Sequence, residues 1–250
     1  MKRITGLTAD QAHRLTLLIS EEGGVPGLPP IVSIQTGLKI TLIYLRKNRT
    51  QDDLAVSFGV SQSTVSRTVT AMTPVIARVV DGWAPQLDEV KPGDAFVVDG
   101  TLAPCWSWRD RQDLYSGKHK TTGLNLQVVT DAAGRLRWVS DPLPGSIHDT
   151  AALDAHEILT GHDPAHWMAD KGYIGRGMIT PAKRRPRQET LDEPDRIRNT
   201  SIHKIRWVVE KAIANLKTWR ILHTDYRRPI DTFATTISAV IGLHFYAASE

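Results

Sequence analysis

Apolar residues over the first 80 positions recur at helical spacing, and those after about position 95 fall into short runs bounded by turn residues. Residues 10–20 read as a short helix. The Gly/Pro-rich stretch 23–30 breaks it. From Ser33 to Lys47, Ile34, Leu38, Leu42 and Leu45 form one apolar stripe and predict a second helix. Thr50 is a helix-capping residue ahead of 51–58, Gly59 suits a left-handed stop, and Ser61 caps a further helix to about Ala71. Val65 and Val69 fall on its inward face. The stretch 81–94, with two prolines and two glycines, reads as a connection.

The second part has strand-like periodicity. Ala95–Val98 is a short apolar run ending in Asp99-Gly100, and Thr121–Thr130 with Arg135–Asp141 predicts a hairpin around Asp131–Gly134. Asp149–Leu159 reads as a helix, His166–Ala169 as a strand, and Met178–Ala182 as a further strand. Lys183–Asn199 reads as a long basic loop. Helices follow over about Ser201–Trp219 and Pro229–Ala248. The expected organisation is a helical domain at 1–84, a linker at 85–94 and an α/β domain with a mixed sheet and packed helices at 95–250.

Composition narrows the class without changing that picture. The chain has 250 residues, 41% of them hydrophobic and 23% charged, which is ordinary globular composition. The single cysteine, Cys105, excludes an internal disulfide framework and suits a reducing compartment. No targeting segment is legible, and the longest apolar stretch, Ala239–Ala248, is too short to span a bilayer. A cytoplasmic, nucleoid-associated protein is expected. Net charge is only +4, yet Lys183–Arg228 holds 13 Lys/Arg against 6 Asp/Glu, while the remainder holds 18 against 21. A basic segment in a mildly acidic chain suits a polyanion, or simply a solvated basic face.

Two features carry candidate chemistry. Helix, glycine turn, helix over about 50–71 is the layout of a helix-turn-helix, and Gln62, Ser63, Thr64, Ser66 and Arg67 are side chains suited to base edges and phosphates. Many small helical bundles contain such a turn without touching DNA. The second feature is three carboxylates, with Asp99 and Asp170 ending strands and Glu210 in a late helix. Carboxylates at strand ends lie where open α/β sheets place ligands, and oxygen donors suit Mg²⁺ or Mn²⁺. Each also has a plainer reading, as a turn, a cap, and half of a helical ion pair with Lys211 or Arg206.

In order, Val98-Asp99-Gly100-Thr101, Pro144-Gly145-Ser146-Ile147-His148-Asp149, Ala169-Asp170-Lys171-Gly172-Tyr173 and Arg206-Trp207-Val208-Val209-Glu210 resemble the D-D-E transposases of insertion-sequence type, near their Harbinger-like branch. The resemblance spans nearly the whole chain. It implies a ribonuclease-H-like catalytic domain after the helix-turn-helix, with Asp99, Asp170 and Glu210 holding two Mg²⁺ or Mn²⁺ ions. It also implies that Arg206 and Lys217 contact phosphates, with His203 where relatives carry tyrosine, and that double-stranded DNA is bound by a homodimer or larger assembly. The set Asp99, Asp149 and Glu210 competes for the metal role, and His148, Asp149 and His203 are otherwise supporting residues.

Lys183, Arg184, Arg185 and Arg187 are further candidate phosphate contacts. Trp106 and Trp108 are read as core anchors rather than base-stacking groups, and Cys105 as an inert thiol. The activity implied is cleavage at element ends and transfer of the 3′-hydroxyl into target DNA. A nuclease without strand transfer, or a catalytically silent DNA-binding regulator, are the rival readings.

Overall fold

The computed structural model describes residues 1–91, 93–107, 110–184, 186 and 190–249. Trp108, Arg185 and Arg187 lie outside the described residues. The chain divides into two compact units, one comprising residues 1–84, 104–106 and the chain from Leu216 onward, the other 85–103 and 107–215.

The first unit is helical: α1 (Lys2–Thr5), α2 (Ala9–Glu21), α3 (Ile34–Lys47), α4 (Gln51–Phe58), α5 (Gln62–Val80) and, from the chain's end, α8 (Phe233–Ala248). Side-chain oxygens of Thr8, Ser33, Thr50 and Ser61 accept from backbone N–H groups in the first turns of α2 to α5. That removes orphan donors where the sequence placed capping residues. Gly59 takes φ 65 at the end of α4, as the turn requires. α5 runs nine residues past the expected stop at Ala71, through Pro74, because Val75, Ile76 and Val80 continue its buried stripe.

The sequence reading ran one domain from 95 to 250, but the chain from Leu216 onward packs in the helical unit. The reason lies in α8, where Ala239 to Leu243 are buried without interruption, so the helix needs apolar cover on most sides. α5 supplies it. A Cβ on Gly242 would overlap the Val80 side chain, so glycine is what permits the approach. Tyr246 packs edge-on to Trp83 and donates from its hydroxyl to the Gln11 carbonyl.

The second unit holds β1 (Phe96–Pro104), β2 (Tyr115–Ser116), β3 (Thr121–Asp131), β4 (Leu136–Val139), β5 (Leu143–Pro144) and β6 (Trp167–Met168), with α6 (Asp149–Ala155) and α7 (Glu193–Leu216). The sheet runs β2-β3-β1-β6, with β4 and β5 also paired to β3. β6 lies parallel to β1, while β2, β4 and β5 run antiparallel to β3. This is the mixed α/β sheet expected. Phe96, Val98, Val129, Trp138, Leu153 and Trp167 share one core, and Val90 joins it, so the segment expected as a linker is partly core.

Three expectations are revised. β1 continues to Pro104, so Asp99-Gly100 is inside a strand rather than a turn at its end. Met178–Ala182 contributes only a bridge between Ile179 and Met168. α7 begins at Glu193, inside the expected loop, where Glu193, Pro194 and Asp195 make a favourable acidic, proline-containing first turn.

Candidate active site

β1 presents Phe96 and Val98 to the core, so strand alternation turns Asp99 to the opposite face. There α7 meets it. Ile202, Val209, Ala212 and Leu216 form the buried stripe of α7, and Arg206 occupies the stripe position between Ile202 and Val209. Its Nη2 donates to Asp99 Oδ2 at 2.9 Å, and both residues are buried. The remaining Asp99 oxygen accepts from Gly100 N at 2.9 Å. Among the described residues Arg206 Nε is buried without a partner.

Asp170 reaches the same place through register. Phe96 pairs with Trp167 and Val97 with Met168, and two further residues along these parallel chains stand Asp99 and Asp170. β6 ends at Met168 and Asp170 opens the turn that follows, close enough to Asp99 for its charge to act on that carboxylate. Asp170 Oδ1 accepts from Gly172 N, holding the turn that follows.

Asp149 joins them from the start of α6. Lys118 Nζ donates to one carboxylate oxygen and Asn125 Nδ2 to the other, the latter at 3.1 Å. His148, not Asp149, holds the cap position, so the capping role considered for Asp149 is not the one its side chain plays. A Cβ on Gly100 would overlap the Asp149 carboxylate, which makes Gly100 a close-approach glycine. Behind Asp149 a chain of bonds runs back through the unit. Asn125 Oδ1 accepts from Gln127 Nε2, and Gln127 Oε1 accepts from the Tyr173 hydroxyl at 2.7 Å.

The electrostatics follow from this crowding. Burial pushes Asp99 up to about 6; Arg206 and Lys118 oppose the rise, and Asp170 and Asp149 add to it. Lys118 is raised in spite of its burial because Asp149 holds its proton and Asp170 and Asp99 lie near. Tyr173 is driven far up by burial and by the same three carboxylates. The site is a nest of like charge held by two cations.

Glu210 stands one turn beyond Arg206 on α7 and is exposed. Among the described residues no three His, Cys, Asp or Glu side chains are gathered to hold one ion. His203 and His148 are exposed. Lys217 lies just past the end of α7, half-buried, with its pKa lowered by burial. Lys183 and Arg184 line one concave surface with Lys171 and Arg196, and Asn199 anchors that segment by bonding both the N–H and the carbonyl of Ala182. In the helical unit Gln62, Ser63 and Arg67 are exposed and Thr64 and Ser66 half-buried on α5, with Val65 and Val69 beneath them. Cys105 is buried, in keeping with an inert thiol.

Sequence reasoning missed Lys118, Asn125 and Gln127, and met Tyr173 only as part of a motif, without the role its hydroxyl plays here. Asn125 and Gln127 did carry a signal, as two amides two residues apart in an otherwise apolar strand.

The family described as DDE superfamily endonuclease matches residues 98–244, and the helix-turn-helix of the same superfamily matches residues 32–80. The "Putative transposase for insertion sequence element IS112" of Streptomyces albus G is 31% identical over 87% of this chain and 83% of its own length. The "Probable transposase for insertion sequence element IS702" of Microchaete diplosiphon is 26% identical over 88% and 83%. The "Putative nuclease HARBI1" of Xenopus laevis is 26% identical over 61% and 50%. No solved structure matches. No helix among the described residues is long and apolar enough to cross a membrane. With one family model matching residues 98–244 and the helix-turn-helix of the same superfamily ahead of it, the chain belongs to the DDE superfamily endonucleases, as a transposase of insertion-sequence type.

Proposed function

We propose that this transposase binds the inverted ends of its element, cuts the phosphodiester bonds there and joins the freed 3′-hydroxyl to target DNA. The observation that carries the reading is the pair Asp99, inside β1, and Asp170, in the turn just after the parallel strand β6, close enough for one charge to act on the other, with Arg206 buried against Asp99. Mg²⁺ or Mn²⁺ is commonly held by one or two carboxylates plus phosphate oxygens, so this pair fits such an ion before a third carboxylate arrives. Asp99 and Asp170 would hold it, with Glu210 from α7 completing the set once DNA is bound. A bound divalent ion supplies positive charge at the scissile phosphate and lowers the pKa of its water.

The chain's own residues prepare the rest. Arg206 keeps Asp99 ionised and aimed, and its unpartnered Nε leaves a donor for a phosphate oxygen. Lys118 and Asn125 hold Asp149 against Gly100, where it supports the pair rather than replacing Asp170 as ligand. Lys171, Lys183, Arg184 and Arg196 offer a basic surface beside Asp170 for the DNA backbone, with Lys217 as a further phosphate contact. Gln62, Ser63, Thr64, Ser66 and Arg67 read the element end in a major groove. The working form is a homodimer or larger assembly in the cytoplasm at the nucleoid, since two ends must be joined together.

The test is purified protein with Mg²⁺ or Mn²⁺ on the DNA flanking its gene. Strand-specific cuts at the inverted ends, lost in Asp99→Ala, Asp170→Ala and Glu210→Gln while end binding persists, are expected. Retained cleavage in any of the three overturns its assignment. Cuts without joined target products would make the protein a nuclease without strand transfer, and specific binding without cuts a silent regulator.

A further inference from the structure

The helical unit carries a second basic concavity, away from α5's exposed face in sequence and built from three separate segments. Lys47 and Arg49 flank the end of α3, Trp106 comes from the 104–106 strap, and Arg220 and Arg227 come from the chain ahead of α8. Among the described residues Asp225 is the single acidic one lining it. Its floor is stitched together. Asn48, in the left-handed conformation at φ 48, donates to Thr224 Oγ1 at 2.7 Å and to the Asp225 carbonyl. Arg227 Nη2 donates to the Asn48 carbonyl at 2.8 Å, and Trp106 N to the Tyr226 carbonyl at 3.2 Å.

Two properties of the lining go unused by this scaffold. The side chains of Lys47, Arg49 and Arg220 make no hydrogen bond or ion pair among the described residues, and all three are exposed. Trp106 is 51% exposed although tryptophan is the largest apolar side chain available to a core. The expectation that it is a core anchor is thereby corrected: the backbone of 104–106 is pinned to Tyr226, and that pairing leaves the indole at the rim.

We infer that this concavity binds an unpaired nucleotide of a DNA strand, with Trp106 stacking on the base and Lys47, Arg49 and Arg220 holding the adjoining phosphates. The inference rests on the DNA-processing reading above and deepens it. Cations alone would serve duplex DNA equally well. An exposed indole among them adds a π face, which only a base outside a duplex stack can meet. A staggered cut at a DNA end leaves unpaired nucleotides of this kind.

The test is fluorescence anisotropy of a labelled oligodeoxythymidylate, an abasic oligonucleotide of the same length and a duplex, in EDTA so that no cleavage intervenes. Trp106→Ala is expected to weaken oligodeoxythymidylate binding about tenfold, and Trp106→Phe to recover most of it, since base–aromatic stacking is of that order. The abasic strand and the duplex should bind wild type and Trp106→Ala alike. The Arg49→Gln/Arg220→Gln pair should weaken all three and flatten the salt dependence. Unchanged oligodeoxythymidylate binding by Trp106→Ala, or equal loss of the abasic strand, overturns the inference. Circular dichroism and melting of each variant exclude unfolding, and Trp106→Phe keeps the test decisive if Trp106→Ala does not fold. Failure here leaves end cleavage intact, whereas failure of the DNA-processing reading removes the carboxylate-dependent cuts and leaves this binding to be measured.

Discussion

The helical unit buries no formally charged side chain among its described residues; its buried polar groups are Thr5, Gln11, Thr41, Thr68, Thr73 and Thr236. Thr68, Thr73 and Thr236 donate to the carbonyl four residues back in their own helices, and Gln11 completes a capping box with Thr8. The sheet unit buries Asp99, Arg206, Asn125 and Gln127, and here partners also come from far along the chain, Asp149 to Asn125 across 24 residues and Asp99 to Arg206 across 107. The first region satisfies most of its polar groups within their own helices, although Gln11 Nε2 reaches the Ala247 carbonyl and Thr41 Oγ1 has no partner among the described residues. The other concentrates charge where burial is costly, which is the arrangement expected of a reactive centre.

The largest effect that would sharpen this contrast is on chemistry. Asp99→Asn or Asp170→Asn should lower end cleavage by at least about a thousandfold, while cap variants in the helical unit leave the single-turnover rate of pre-bound DNA unchanged. Equal losses from both would break the contrast.

Arg206→Leu comes next. It removes the counter-ion of a buried carboxylate and should cost about 3 kcal/mol in urea unfolding. The Arg206→Leu/Asp99→Asn double variant should recover part of that loss. A double variant no more stable than the single would show that packing of α7, not the buried charge, sets the cost.

Acid should act on the two units with opposite sign. His244, on α8, is pushed down to about 4 by burial and by Arg46. The unfolded chain therefore takes up a proton below 6.5 that the folded helix refuses until about 4. Stability from this group is full above 6.5 and falls by about 3 kcal/mol as pH drops to 4. Asp99, raised to about 6, does the reverse, since the folded state binds its proton first and gains stability as pH falls from 6 towards 3.8. Hydrogen exchange in metal-free protein, corrected for intrinsic rates, should show protection of α8 falling and of β1 rising across this window. In Asp99→Asn only the α8 trend should remain.

The smallest effect is local. Ser61→Ala removes the oxygen that accepts from Thr64 N and should cost about 1 kcal/mol. It should also weaken end binding, because the capped turn orients Gln62 to Arg67.

Much of the helical unit was legible because its signals lie within one turn of each other. Thr50, Gly59 and Ser61 specify the helix-turn-helix without reference to anything distant. The end of α5 was not legible, since Pro74 reads as a stop until α8 is there to cover Val75, Ile76 and Val80. For the same reason α8 could not be assigned to its unit from sequence, as apolar cover on most sides says that a helix is buried but not against what.

In the candidate site, the sequence by itself determined the carboxylates and the order in which they come, because Asp99-Gly100-Thr101, His148-Asp149 and Asp170-Lys171-Gly172-Tyr173 are contiguous motifs. Only the tertiary structure decided which of them meet. Asp99 and Asp170 came together because β6 runs parallel beside β1 and the turn opened by Asp170 follows it, and Arg206 became the counter-ion because a buried stripe of α7 faces β1 there. Lys118, Asn125, Gln127 and the role of the Tyr173 hydroxyl entered only with the structure, as did the gathering of Lys47, Arg49, Trp106 and Arg220 around one concavity. The physical reason is the same throughout. Backbone periodicity and caps act over a few residues, whereas charge and hydrogen bonding act across space, and space is assigned by packing.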